Sequence, residues 1–266
     1  MEQNQPRFDF AMSPSPVVVA YGMGTNSVAL LVGMHERGER PDLILSADTG
    51  GERPQTYEHR DMMDEWCKKV GFPPIVTIRK GGRAETLEEN CLRMSMLPSI
   101  AYGFKGCSLK FKREPQDRFV NSWEPAQLAW ECGRKVVKLI GYDAGEERRA
   151  KITEDAKYEY RYPLIEWGWD RDDCIAATDR TGLPRPGKSA CFFCPSSKVA
   201  EIRDLRDNHP HLFARALAME SNAELTSVKG LGRRFAWRDH AIGGPLCDIP
   251  RESYIEEACD CYDGAA

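Results

Sequence analysis

The sequence of 266 residues has no run of 18 apolar residues, which excludes a membrane-spanning helix. Its opening, MEQNQPRFDFAMSPSP, is polar and lacks the apolar core of a secretory signal, so a cytoplasmic protein is expected. A large net charge is missing too. The 37 Lys and Arg against 41 Asp and Glu leave −4, so any site for a polyanion must be a local patch. No internal repeat is present, which removes solenoid and array architectures. What remains, 41% hydrophobic and 29% charged residues, is the composition of a globular protein long enough for one sizeable core and a smaller appendage.

The positive signals begin with strands alternating with helices. Residues 17–21 form a β-branched run, followed by a glycine turn and a helical pattern over 26–36. PDLILSADTGG predicts a second buried strand, RPQTYEHRDMMDEWCKKVGF a second helix ended by Gly71, and PPIVTIRKGG a third strand. Residues 115–133 read as a helix interrupted near 123–125, RKVVKLIGYDAGEERRA as a fourth strand running into a helix, and YEYRYPLIEWGW as an edge strand. This order predicts an α/β fold with a buried, mostly parallel sheet. The strand signal ends near residue 170. The expected organisation is a disordered leader over 1–15, an α/β domain over 16–170 and a mainly helical region over 171–266.

YGMGTNS lies where a parallel sheet places its ligands, between a strand and the helix that follows it. Gly22 and Gly24 permit close backbone approach, and Thr25, Asn26 and Ser27 supply donors at a helix start. The plainer alternative is a tight turn with Asn26 or Ser27 as N-cap. The stretch is neither GxGxxG nor GxxxxGK[ST], so neither a dinucleotide fingerprint nor a Walker loop is supported.

Ten cysteines in a reducing compartment point to metal ligation or chemistry for any clustered subset. Cys67, Cys132 and Cys174 sit in helix-like apolar settings, leaving Cys91, Cys107, Cys191, Cys194, Cys247, Cys259 and Cys261. CFFCP, residues 191–195, places two thiolates on one short turn, as zinc or an iron-sulfur cluster requires. A redox dithiol or a pair of buried structural thiols beside Phe192 and Phe193 are the alternatives. Local basic stretches stand at 79–83, 105–118 and 229–240. The last interleaves Phe235 and Trp237 with Arg233, Arg234 and Arg238, which suits either base stacking or a solvated face with its aromatics in the core. His209 and His211 flank Pro210 and are read as part of a helix boundary.

In order, GMGTNS after the first strand and then Asp48, Thr49, Gly50, Pro54, Thr56 and Tyr57 after the second resemble the PP-loop (adenine nucleotide alpha-hydrolase-like) superfamily, in its phosphoadenosine phosphosulfate (PAPS) reductase-like branch. GCSLKFKREP, through Cys107, Lys112 and Pro115, and GYDAGEERR, through Gly141, Glu146 and Arg149, extend the likeness across residues 17–195. The resemblance implies a parallel Rossmann-like core. It also implies an adenine-nucleotide site, for ATP or a related nucleotide, at Tyr21, Gly22, Met23, Gly24, Thr25, Asn26, Ser27, Asp48, Thr49, Gly50 and Gly141. Catalytic roles fall to Asn26, Ser27, Lys112, Glu146 and Arg149. It further implies a 4Fe-4S cluster, with zinc as the alternative, held by Cys107, Cys191, Cys194 and Cys261, with Cys259 as the alternative fourth ligand and Cys247 a weaker one. Two departures stand out. Asn26 occupies the acidic position of the SGGxDS loop, and that loop has no lysine, so phosphate charge must be met from Arg79, Lys80, Arg83 or Arg149.

The function this implies is ATP-dependent sulfur transfer to DNA or RNA, as in the DNA phosphorothioation sulfurtransferases, with a sulfur-donor protein as a further partner and homo-oligomerisation left open. The alternatives are a PAPS or APS reductase, whose Glu-Cys-Gly tail is matched poorly by EACDCYDG, and a non-hydrolysing nucleotide- or nucleic-acid-binding protein with a structural metal.

Overall fold

The computed structural model describes residues 14–81, 85–152 and 154–241, so most of the leader and everything after Ala241 lie outside it. The apolar runs form five strands, β1 (Val17–Ala20), β2 (Leu43–Ala47), β3 (Ile75–Ile78), β4 (Val136–Ile140) and β5 (Tyr158–Arg161). They make one sheet in the order β3-β2-β1-β4-β5, with every neighbouring pair parallel.

Strands this apolar have to be covered on both faces. Val19, Tyr21, Ile44 and Leu139 pack against α1 (Thr25–Glu36), α2 (Pro54–Lys69), α7 (Pro163–Glu166) and α8 (Arg171–Asp179) through Leu30, Met63, Leu164 and Ala177. Val18, Leu43, Leu45 and Val136 point the other way, onto Val120 and Ala126 of α5 (Glu114–Ser122) and α6 (Glu124–Glu131). Val18 and Val19 thus serve opposite faces, as the period of two in a strand requires. The break expected between α5 and α6 falls at Trp123, which is extended at φ −81° and ψ 120°. α8 belongs to the sheet's own core, so that layer continues past residue 170.

A second core joins α3 (Leu87–Arg93) and Phe111 to the CFFC turn, α9 (Val199–Asn208), α10 (Pro210–Asn222) and α11 (Trp237–Ala241). The helical region therefore shares its apolar interior with a segment inserted after β3. Within it the buried Glu220 carboxylate accepts from the amides of Leu231 (2.7 Å), Trp237 (2.8 Å) and Arg238 (3.1 Å) and so closes the final turn. Phe235 and Trp237 enter this core, which leaves them unavailable for base stacking. His209 ends α9 and precedes Pro210, the first residue of α10, as the helix-boundary reading expects.

The fourth strand runs into a helix, as the sequence predicts, and that helix is wound as a 3-10 turn over Ala144–Arg149. Asp143 caps it by accepting from the Gly145 amide at 3.0 Å, and the tighter winding eclipses positions i and i+3. That winding sets Glu146 and Arg149 in a 2.5 Å ion pair. Beyond β3, α4 (Gly106–Ser108) opens into a wide π-type turn, Leu109–Arg113, before α5. Wide turns of this kind re-aim side chains and recur at functional sites.

Among the described residues no helix is long and apolar enough to cross a membrane.

Candidate functional site

From β1 the chain proceeds outward through β2 and β3, then crosses back to β4 on the other side. The carboxyl ends of β1 and β4 therefore border the crevice where open parallel sheets bind ligands. The loop after β1 is built for that place. Tyr21 and Met23 are buried in the sheet core, Met23 at φ 61°, so these side chains turn inward, while Gly22 and Gly24 between and after them are half-buried. Ser27 closes a capping box, donating to the Gly24 carbonyl (2.8 Å) and accepting from its amide (3.1 Å). A Cβ on Gly141, just past β4, would stand 3.0 Å from the Asn26 carbonyl oxygen and 3.3 Å from the Ser27 nitrogen. Glycine there lets β4 approach the first turn of α1.

Asn26 is the hub of the loop. Its amide nitrogen donates to Asp143 Oδ2 (3.0 Å) and Glu146 Oε2 (2.9 Å), and its oxygen accepts from Arg171 Nη1 (2.8 Å). Two carboxylates on one side need a donor between them, which explains the amide where the PP-loop pattern has an acid. Restoring the acid with Asn26→Asp is expected to cost about 1–3 kcal/mol, because three carboxylates would then crowd one site. Denaturant unfolding measures the loss. An Asn26→Asp variant as stable as the parent at about pH 7 would contradict this account.

Arg171 also reaches Thr25 Oγ1 at 3.3 Å, so a cation from the N-terminus of α8 sits at the loop. Arg149 is paired to Glu146 and stacked over Tyr142 at 4.5 Å. Arg79 grips Asp48 with Nε (2.8 Å) and Nη2 (2.6 Å), and Arg83 lies outside the described residues. Of the loop's neighbours Arg171 is the cation that sequence reading missed. Its signal was modest: an Arg directly after the helix cap Asp170.

The segment after β2 links this loop to the cysteines. Asp48, which is buried, also accepts from Tyr57 Oη (2.8 Å) and the Gly50 amide (2.7 Å), so the turn is fixed from three sides. Next to it the CFFC turn docks on the chain. Glu52 and Cys191 form an antiparallel bridge, the Phe192 amide donates to the Gly51 carbonyl at 2.7 Å, and a Cβ on Gly51 would meet the Phe193 ring at 2.7 Å. Thr49 Oγ1 lies 3.0 Å from Cys191 Sγ, and Ser196 Oγ lies 2.9 Å from Cys194 Sγ. Ser189, two residues before Cys191, comes within 3.7 Å of the Cβ position at Gly24. The segment leading into the CFFC turn thus packs against the loop, while the thiols themselves adjoin the turn after β2.

Cys107, Cys191 and Cys194 line one small cavity of about 10 Å³, together with Thr49, Ser108 and Lys112. None of the seven described cysteines is in a disulfide. Cys247, Cys259 and Cys261 lie outside the described residues. Lys112 is buried and faces Glu52 at 3.5 Å. Burial pushes the Glu52 carboxyl above its usual range, while Lys112 pulls it back and Asp48 adds to the rise. Three thiols facing one cavity are a donor set suited to zinc or an iron-sulfur cluster. Among the described residues, however, no group of three or more Cys, His, Asp or Glu side chains is drawn together into a ligand set, and the cavity has room for about one water. The three thiols fit such a group by their donor chemistry and by lining the same cavity.

No known protein-family pattern matches the chain, and no curated protein matches it. Among solved structures it is similar to the U34-tRNA thiolase NcsA from Methanococcus maripaludis with its 4Fe-4S cluster, at 15% identity and a TM-score of 0.43, over 94% of this chain and 84% of that one. The fold assignment rests on the strands themselves: a five-stranded parallel sheet in the order β3-β2-β1-β4-β5 makes this chain an α/β protein with the Rossmann-like core that the PP-loop resemblance implies.

Proposed function

We propose that this chain is an adenine-nucleotide-dependent enzyme of sulfur transfer, acting on a nucleic acid, with Cys107, Cys191 and Cys194 holding a 4Fe-4S cluster. The observation that supports the reading is that one short segment touches both places, with Ser189 against Gly24 of the loop and Cys191 against Thr49. When bound, the cluster would supply a site for labile sulfide beside the nucleotide.

The chain's own residues have definable tasks. The backbone at Gly22 to Ser27 and the N-terminus of α1 would bind the phosphates, whose negative charge suits backbone amides and the helix dipole. Arg171, already bonded to Thr25 and Asn26, would neutralise charge as pyrophosphate leaves. The acceptor oxygen would attack the α-phosphorus, the bond to pyrophosphate would break, and sulfur would then displace AMP with that oxygen. Lys112, a buried cation on the thiol cavity, would favour thiolate over thiol. Cys261 or Cys259 stays the proposed fourth ligand.

A second reading has support in the Asn26 hub, where the amide is engaged by two carboxylates: a protein that binds nucleotide without cleaving it, with a structural metal. Anaerobic purification followed by metal and sulfide analysis, with ATP, AMP and PAPS binding and pyrophosphate release, separates the two. Brown protein with equal iron and labile sulfide and pyrophosphate release on adding ATP is expected. Colourless protein with stoichiometric zinc and no cleavage of ATP would establish the second reading, and PAPS reduction would establish the reductase.

A further inference from the structure

A second and larger cavity, about 270 Å³, lies beside the carboxyl end of β3 and is lined by Arg79, Lys80, Lys110, Arg118, Glu114 and Phe119. With Arg79 paired to Asp48, Lys80, Lys110 and Arg118 stand against the Glu114 carboxylate alone, in a chain whose net charge is −4. Arg79 gives Nε and Nη2 to Asp48, which holds it in place at the rim, and Lys80 stands 4.3 Å over the Phe111 ring. Lys110 and Arg118 are exposed. Such a local excess of positive charge marks a polyanion site.

The groove and the thiol cavity lie on two faces of one irregular helical stretch. Lys110 and Glu114 line the groove, whereas Cys107, Ser108 and Lys112 line the cavity. Phe111 belongs to the same core as Cys191 and Cys194. A strand lying in the groove would therefore run about one helix diameter, roughly 10 Å, from the thiols. The volume is at the small end for ligand sites, so it takes one or two phosphodiester units and not a duplex. Phe119 adds an aromatic surface of the kind that stacks bases in single-strand grooves.

We propose that this groove docks the sugar-phosphate backbone of a single-stranded segment of nucleic acid. The assignment rests on the nucleic-acid acceptor of the proposed function and gives that acceptor a place on the protein.

The test is anisotropy of the full chain with labelled oligonucleotides of about 12 residues, RNA and DNA, single-stranded and duplex, between roughly 50 and 200 mM salt. The variants are Lys110→Glu/Arg118→Glu and the neutral pair Lys110→Gln/Arg118→Gln. Single strands should bind more tightly than duplex. The reversed pair should lose at least about 10-fold in affinity, the neutral pair less, and each should flatten the salt slope by about one to two. Metal content and ATP binding should not change in either variant, and matching unfolding curves would show that both fold. Unaltered affinity and salt slope in both variants would overturn the proposal, as would duplex preference. Binding of inorganic pyrophosphate, lost in the variants, without binding of any oligonucleotide would overturn it too, since the groove would then take a free phosphate. Absence of iron with loss of RNA or DNA binding in the variants would leave the groove standing and remove the cluster.

Discussion

Lys112→Met is expected to cost about 3–5 kcal/mol of stability, one of the two largest effects foreseen for this chain. The methionine fills nearly the same volume, so the loss comes from electrostatics. Lys112 and Glu52 have side chains 2% and 0% exposed, and removing the cation leaves Glu52 buried beside Asp48 with no opposing charge of comparable strength. The pH dependence fixes the cause. Glu52 already has a raised pKa in the fold, and the variant raises it further; a raised carboxyl favours the folded state only below the pKa of the unfolded chain, and that contribution is lost as pH rises through the folded value. The deficit of Lys112→Met relative to the parent should therefore grow as the pH rises above the usual carboxylate range, through the raised Glu52 pKa of the parent toward the higher one of the variant. Adding Glu52→Gln should return most of it. Urea unfolding across that range measures both, and a deficit independent of pH, or a double variant no better than the single, would show that the pair is not what holds this turn.

Serine at Cys191 or Cys194 is the other large change. With the proposed cluster in place, each is expected to lower iron retention by more than about 100-fold and abolish the brown colour, since a hydroxyl is a poor ligand for iron and the remaining thiols cannot complete the set. Thr49→Val should do less, about 10-fold, by removing the hydroxyl 3.0 Å from Cys191 Sγ. Cys132→Ser is the control, because Cys132 is exposed at the end of α6, away from the cavity. Apoprotein unfolding should differ little among these variants. Full iron content in Cys191→Ser and Cys194→Ser would remove these two thiols from any metal site.

The elements of the sheet were legible because apolar β-branched runs and glycine-ended amphipathic helices report their own geometry. Val17 to Ala20 and Leu43 to Ala47 are strands for reasons contained in a few adjacent residues. The break at Trp123 was visible in the same way. The site was harder to read, since its partners are far apart in the chain. Nothing near Asn26 announces that Asp143, Glu146 and Arg171 will close on it, and nothing near Glu52 announces Lys112. The helix after β4 was legible but its 3-10 winding was not, because a capped, charged stretch suits both helix types until packing selects one.

Local sequence determined which segments become strands and helices, where glycines let backbone approach backbone, and which thiols sit together on the CFFC turn. Only the tertiary structure decided that Thr49 meets Cys191, that Arg171 reaches the loop and that Phe235 and Trp237 go inward. The reason is physical. Backbone propensity acts over a few residues, whereas a buried charge, a set of facing thiols or a cationic groove exists only once segments far apart in the chain have been packed and freed of water.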